Sequence, residues 1–222
     1  MTANGIILNI NKPAGLTSFG VVRRIRRITG VKKVGHAGTL DPFATGVLIL
    51  LVGRKATRRF DEFASLDKSY SAIFRFGLTT DSHDITGETL SDKPADIKES
   101  DIQSVLADYQ GEVDQVPPMF SAKKVNGKRL YKLARQGKRV EREVSKVTIH
   151  QIDAQPVSRR DFRFDITCSK GTYIRALARD IGSKLGVGAC VTELTRTAIG
   201  EYNLDTALLL EEVEEKWNSI AA

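Results

Sequence analysis

The sequence predicts a chain of mixed helix and strand, and three observations carry that reading. Val47-Leu-Ile-Leu-Leu-Val52 is an uninterrupted apolar run of strand length, the pattern of a buried central strand. Lys68 to Gly77 alternates instead, placing Tyr70, Ala72, Phe74 and Phe76 on one face. Helical spacing appears in Val21, Val22, Ile25 and Ile28, and again in Ile174, Leu177, Ala178 and Ile181.

The 222 residues suffice for one large domain or two small ones with a proper core. Hydrophobic residues at 41% and charged residues at 27% are the figures of a soluble globular protein. Lys and Arg outnumber Asp and Glu by 34 to 27, a formal charge of +7 that suits a polyanionic partner. Cys168 and Cys190 lack metal-type spacing and read as reduced core residues. Met1-Thr-Ala-Asn-Gly5 has neither the basic nor the long apolar segment of a signal peptide, and no apolar run approaches a membrane span. A soluble, cytoplasmic protein acting as a monomer is expected.

Gly5 to Asn11 reads as the first strand; Thr17 or Ser18 then caps a helix ended by Gly30. The other side of that helix carries Arg23, Arg24, Arg26 and Arg27, followed by Lys32 and Lys33; a solvated face and one turned to a polyanion fit it equally. After the central strand, Arg54 to Phe63 reads as a short helix with Phe60 and Phe63 inward. Thr79 to Gly87 is a polar loop holding Asp81, His83 and Asp84, but no distant His cluster joins them and a metal site is discounted. Ser100 and Gln103 form a capping box for a helix through Ile102, Val105, Leu106 and Tyr109, closed by Gly111. Asn126-Gly127 signals a turn, and Leu130, Leu133 and Ala134 a helix ending at Gly137. From Lys123 to Arg142 nine Lys or Arg stand against one Glu. Lys123, Lys124, Lys128, Arg129, Lys132 and Arg135 are therefore candidates for contact with the phosphates of a polyanionic partner. Val147 to Val157 and Asp161 to Cys168 are further strands, with Phe162, Phe164 and Ile166 inward. Gly171 breaks the chain before a helix running to Gly186. Arg175 falls in its first turn, a poor place for a cation that merely answers the helix dipole. Gly188 to Gly200 is a last strand, and Leu204 to Ile220 an amphipathic helix with an acidic outer side.

The chain is organised around Gly35-His-Ala-Gly-Thr-Leu-Asp-Pro-Phe-Ala-Thr-Gly-Val-Leu48. Gly35, Gly38, Gly46 and Pro42 make this stretch a loop rather than the middle of a helix or strand, and it opens directly into the buried run. Asp41 is thus a carboxylate on a glycine-bounded loop anchored in the core, with its backbone biased to extended by Pro42. That placement suits a positioned nucleophile. Composition alone makes it an Asp-Pro turn capping local N–H groups; the order of residues says more. The stretch resembles the catalytic motif G-H-x-G-x-L-D-P-x-A-x-G-x-L of the pseudouridine synthases that modify the T-loop of tRNA, the bacterial tRNA pseudouridine-55 synthases, and meets every fixed position. Lys12-Pro-Ala-Gly-Leu-Thr-Ser18, Lys68-Ser-Tyr70, Thr80-Asp-Ser-His-Asp84 and Cys168-Ser-Lys-Gly-Thr-Tyr-Ile-Arg175 match further family segments, so the likeness runs through nearly the whole chain.

The resemblance implies an α+β pseudouridine synthase fold: a long mixed sheet flanked by helices, with a catalytic cleft across its middle. It makes residues 1–222 a single catalytic domain. Typical members continue into a small C-terminal RNA-binding domain of the PUA kind, for which this sequence leaves no room. The implied reaction is isomerisation of uridine to pseudouridine at position 55, in the T-loop of tRNA, after the target base is flipped out of the RNA stack. The N1–C1′ bond breaks, the uracil turns and C5 joins C1′, with no cofactor and no metal called for. Asp41 is implied as the catalytic carboxylate; attack at C6, attack at C1′ and a glycal route all stay open to it. In the family the arginine at Arg175 pairs with that aspartate, which would keep it ionised. Tyr70 would stack on the uracil and serve as a base. His36 would help hold the rearranged RNA loop, Tyr173 and Leu194 line the uracil pocket, Lys12 brace the loops and Asp84 stand behind the active site. The implied partner is the T-arm stem-loop of tRNA. Two rival readings are a non-catalytic RNA-binding or tRNA-chaperone protein of the same fold, and a synthase acting on another RNA. Retention of Asp41, Tyr70 and Arg175 argues against the first. A nuclease or metal hydrolase would need clustered carboxylates that the sequence lacks.

Overall fold

The computed structural model describes residues 5–121, 123–125, 127–134, 136–138 and 140–220. It is an α+β fold with a large mixed sheet and flanking helices. In chain order the elements begin with β1 (Ile6–Lys12), α1 (Ser18–Thr29), β2 (Val34–Ala37), β3 (Thr45–Val52), α2 (Arg54–Arg58), α3 (Phe60–Ser65) and β4 (Lys68–Phe76). They continue with β5 (Leu78–Thr80), β6 (Thr89–Asp92), α4 (Glu99–Leu106), β7 (Gly111–Gln115), β8 (Lys124–Val125), β9 (Lys128–Arg129) and α5 (Leu130–Ala134). The remainder is β10 (Ser145–Pro156), β11 (Asp161–Cys168), α6 (Ile174–Lys184), β12 (Ala189–Ile199), β13 (Tyr202–Asn203) and α7 (Leu210–Ile220). The chain forms two compact units, one of residues 1–70 and 195–222, the other of residues 71–194.

In the first unit β3 is the axis. β1 pairs antiparallel along one edge, from Ile6 opposite Val52 to Lys12 opposite Gly46. The other edge is shared: β2 takes Ile49 to Val52 antiparallel, while Thr195 and Arg196 of β12 lie parallel to Thr45 and Gly46. The unbroken apolar run has a direct physical cause, because both faces of β3 are covered. Leu48, Leu50 and Val52 pack with Val21, Val22 and Ile25 of α1 and Val213 of α7. Val47, Ile49 and Leu51 point the other way, onto Ala56, Phe63 and Ile199. At about 1.5–3 kcal/mol per fully buried aliphatic side chain, this strand is the strongest anchor available to the loop that precedes it.

The caps of α1 follow the sequence: Thr17 Oγ1 accepts from the Gly20 N–H at 2.8 Å, and Gly30 ends the helix at φ 68. Several expectations need correction. The expected helix from Arg54 to Phe63 breaks at Arg59, whose ψ of 15 lies outside the helical range, into the two short helices α2 and α3. Phe63 is buried, but Phe60 is 44% exposed. Gly35, His36 and Ala37 belong to edge strand β2 rather than to the loop. The C-terminal helix starts only at Leu210; Leu208 exchanges backbone hydrogen bonds of 2.9 Å with Asn9 and Asn11 of β1, and that ladder competes successfully with helix.

The second unit is built on a run of antiparallel strands. β10 pairs with β11 from Ile149 opposite Cys168 to Pro156 opposite Phe162, and with β7 from Ser145 opposite Gln115 to Ile149 opposite Gly111. The inward alternation of β4 and β11 produces an aromatic core, with Phe74 stacked on Phe164 at 4.1 Å and Phe76 edge-on to Phe162 at 5.8 Å. Cys168 and Cys190 are both buried. The capping box of α4 lies earlier than the sequence suggests: the Lys98 N–H donates to Asp101 Oδ2 at 3.0 Å, and the helix begins at Glu99. An ionised carboxylate at that position is a better acceptor for the helix N-terminus than the amide of Gln103. No helix among the described residues is long and apolar enough to cross a membrane.

Candidate active site

Asp41 lies on the turn between β2 and β3, half-buried, and its carbonyl accepts from the Ala44 N–H at 3.2 Å. The segments on either side of it are fixed by backbone contacts. Leu40 donates its N–H to Ser18 Oγ at 2.8 Å and accepts from the same hydroxyl at 3.0 Å. The Pro42 carbonyl accepts from the Gly15 N–H at 2.7 Å. Lys12 is fully buried and donates to the carbonyls of Leu16 at 2.8 Å, Pro13 at 2.9 Å and Pro42 at 3.3 Å. One ammonium thus joins the Lys12–Ser18 segment to the Asp41 turn. Burial pushes the Lys12 ammonium down to about 8, opposed by the Asp41 carboxylate and assisted by the Arg196 guanidinium. Asp41 and two buried cations thus belong to one electrostatic group.

In the second unit Arg175 and Asp84 form a buried ion pair, Nη1 to Oδ2 at 3.2 Å, with side chains 4% and 5% exposed. Each partner is further satisfied, as burial of charge requires. Arg175 donates to the carbonyls of Ser82 at 2.9 Å and Phe120 at 2.7 Å. Asp84 Oδ1 accepts from Ser82 Oγ at 2.9 Å, from the Thr86 N–H at 3.0 Å and from Thr86 Oγ1 at 2.6 Å. The guanidinium is consequently fixed in plane and direction, tying the start of α6 to two loops. Among the described residues no group of three or more His, Cys, Asp or Glu is placed to hold a metal ion.

His83, between Ser82 and Asp84, is the one described non-glycine residue with a positive φ, at 62. Burial, with Arg179, Arg175 and Arg142 nearby, pushes its imidazole down to about 4. The unfolded chain protonates this histidine near pH 6.5 and the folded chain only near 4, so the unfolded state holds the extra proton between those values. Stability present at pH 7 is therefore lost as pH falls from about 6.5 to 4, by up to about 3 kcal/mol. His83→Asn tolerates the left-handed backbone and lacks the titration. Urea unfolding at pH 7 and pH 4.5 should show a smaller pH-dependent loss for the variant than for the wild type.

His36 sits on β2 opposite Leu50 and is half-buried. Tyr70 is on the inward face of β4, and Leu194 is buried on β12. Tyr173 stands just before α6, where Gln115 brackets its backbone: the Tyr173 N–H donates to Oε1 at 2.8 Å and its carbonyl accepts from Nε2 at 3.2 Å. Lys123 donates to Ser145 Oγ at 2.7 Å. The β8–β9 hairpin and α5 follow where the turn and helix signals lie, with Gly127 at φ 76. Arg135 and Asn126 lie outside the described residues, and of Lys124, Lys128, Arg129 and Lys132 the backbone alone is described.

The basic side of α1 divides. Arg24 pairs with Glu211 at 3.1 Å and Glu214 at 3.8 Å on α7, and Arg26 donates to the Val34 carbonyl at 2.9 Å. Arg23 and Arg27 stay exposed, and the Arg23 and Arg26 guanidiniums lie 5.9 and 5.7 Å from the ring centre of Phe19, itself 55% exposed.

Sequence reasoning missed Ser18 and Arg196 in the first unit and Gln115 in the second. Ser18 and Gln115 act on backbone groups far away in the chain, for which a single sequence holds no signal. Arg196 left one clue: it falls two residues after inward-facing Leu194, on the same face of β12.

Comparison with known proteins bears on both units. A family model described as TruB family pseudouridylate synthase (N terminal domain) matches residues 26–174, and one described as tRNA pseudouridylate synthase B C-terminal domain matches residues 175–221. The tRNA pseudouridine synthase B of Protochlamydia amoebophila is 51% identical over 202 residues, 91% of this chain and 77% of that protein. That of Bacillus velezensis is 47% identical over 220 residues, 96% of this chain and 71% of that protein. Among solved structures, a chain of a Cbf5-Nop10-Gar1 complex superposes with a TM-score of 0.76 at 30% identity over 99% of this chain. The match spans 57% of that longer chain. A chain of an H/ACA RNP bound to a substrate RNA containing 2'-deoxyuridine superposes at 0.71, with 28% identity over 99% of this chain and 56% of that one.

Proposed function

This chain belongs to the TruB family of pseudouridylate synthases, and we propose that it isomerises uridine to pseudouridine in the T-loop of tRNA, at position 55. The observation that carries the reading is Asp41: a carboxylate in the family's motif, on a turn whose neighbours Leu40 and Pro42 are each fixed by hydrogen bonds to α1 and its approach. In the proposed reaction the carboxylate starts the rearrangement, N1–C1′ gives way to C5–C1′, C5 loses its proton and N1 gains one. Tyr70 stacks on the uracil and takes part in the proton transfer. Arg175 supplies the guanidinium that keeps the nucleophile ionised, held rigid by Asp84 and two carbonyls. Tyr173 and Leu194 line the uracil pocket, and His36 helps hold the rearranged RNA loop. Flipping the base out of the stack costs roughly a few kcal/mol, which binding of the RNA backbone offsets. The place of action is the cytoplasm, and residues 1–222 act as one catalytic domain.

Tritium release from RNA carrying uridine labelled at C5 tests the reading, because that hydrogen leaves when C5 becomes bonded to C1′. RNA binding without release would favour the non-catalytic rival.

The backbone grip is assigned to the basic stretch from Lys123 to Arg135. Each phosphate contact contributes about 0.7 to 0.9 to the slope of log affinity against log salt. Changing Lys128 and Arg129 together to Glu should weaken binding of a T-arm stem-loop and flatten that slope, with the rate at saturating protein unchanged. Equal slopes and affinities in a salt series would place the RNA path elsewhere.

A further inference from the structure

Arg196 is the largest fully buried side chain among the described residues, 1% exposed, and nothing said so far gives it a task in the reaction. A guanidinium removed from water is costly unless its donors are met. Two of them are met at the two ends of the Asp41 turn. Nε donates to the Val47 carbonyl at 2.7 Å, on the strand that leaves the turn, and Nη2 to the Gly38 carbonyl at 3.1 Å, on the segment that enters it.

The backbone of the same residue is fitted just as closely. Arg196 lies beside Gly46 in the short parallel ladder, and a Cβ on Gly46 would fall 2.2 Å from the Arg196 carbonyl oxygen. Gly46 is therefore glycine because β12 passes there, and its φ of +100 adds a second reason. One step away the hydroxyls of Thr45 and Thr195 share a hydrogen bond of 2.9 Å. Gly38, at φ +92, would bring a Cβ to 3.5 Å from Arg196 Nη1. Both glycines that bound the turn thus face Arg196, one through its backbone and one through its guanidinium. Lys12 holds the middle of the same turn at the Pro42 carbonyl.

We propose that Arg196 is a positioning residue for the reaction, closing the Asp41 turn by holding the Gly38 and Val47 carbonyls together so that the carboxylate stands in one place when RNA arrives. This rests on Asp41 being the reacting group. A lysine cannot reproduce the function, because one ammonium on a flexible stem lacks the planar fork that spans two carbonyls. Misplacing a reacting group by about 1 Å costs on the order of a hundredfold in rate.

The test uses the full chain with Arg196→Lys and Arg196→Met, read in three ways: single-turnover rate at saturating protein, affinity for a T-arm stem-loop RNA, and amide hydrogen exchange across residues 38–47. Arg196→Lys is expected to bind RNA within twofold of wild type, to react at least tenfold more slowly, and to exchange at least tenfold faster in residues 38–47 while β10 and β11 keep their protection. Arg196→Met should be slower still, so that the conservative change is a partial rescue. A folded Arg196→Lys variant with wild-type rate and wild-type exchange overturns the proposal, and so does loss of protection spread evenly over the chain, which would mark a general stabilising role. If Arg196→Met does not fold, the lysine variant decides alone. The exchange arm needs no turnover, so an inactive wild type would overturn the assigned reaction while residues 38–47 still report whether Arg196 closes the turn.

Discussion

Asp41→Asn is expected to make no detectable pseudouridine while folding and binding RNA as the wild type does. The amide has the shape of the carboxylate but lacks the anionic oxygen that starts the rearrangement. The turn is held through the backbone of Leu40, Asp41 and Pro42 and through Gly38 and Val47, so the substitution leaves its path in place. A rate loss of ~10⁴-fold or more is expected, about 5 kcal/mol of lost transition-state stabilisation. Residual activity from deamidation is limited by the sequence itself. The usual succinimide route needs the backbone N–H of the next residue, and Pro42 has none. Single-turnover assays with protein in excess over RNA, alongside a binding curve and a thermal melt, give the three readings. Appreciable turnover would remove Asp41 from the nucleophile's role.

Arg175 carries the second large effect, and there stability and catalysis should separate. Arg175→Met leaves the Asp84 carboxylate buried without its cation, together with the carbonyls of Ser82 and Phe120. Breaking a buried pair from one side costs about 3–5 kcal/mol. Adding Asp84→Asn to that variant should recover about 1–3 kcal/mol, because the two side chains form one coupled unit. Arg175→Lys keeps the charge, so most of the stability should remain. Its ammonium cannot serve Asp84 and both carbonyls with the geometry of a planar fork, and the single-turnover rate should fall about a hundredfold. Urea unfolding of the three variants with rates at saturating protein checks both parts. Wild-type rates in Arg175→Lys would leave the arginine a purely structural task.

What the sequence disclosed divides by the range of the interaction. β3 was legible because burial on both faces writes itself as six consecutive apolar residues from Val47 to Val52, a local signal. The Asp41 turn was legible because the order of glycines, proline and aspartate matches a known motif, and Arg175 for the same reason. Its partner Asp84 was marked only as lying near the site, since the loop of Asp84 and the start of α6 meet through the fold and not through the sequence. The edge strands failed for another reason. Gly111–Gln115 and Val34–Ala37 hold little apolar alternation, and pairing with β10 and β3 makes them strands. Arg196 shows the limit most clearly. Its place on the same face of β12 as Leu194 hints at burial, but only the third dimension reveals two carbonyls waiting for it.

The central claim is tested most directly by incubating an unmodified tRNA transcript with the protein and mapping pseudouridine at every uridine. The account predicts conversion of the T-loop uridine at position 55 by the wild type and none by Asp41→Asn. An RNA-bound wild type that leaves every uridine unchanged, or an Asp41→Asn variant that converts that uridine at the wild-type rate, would contradict it.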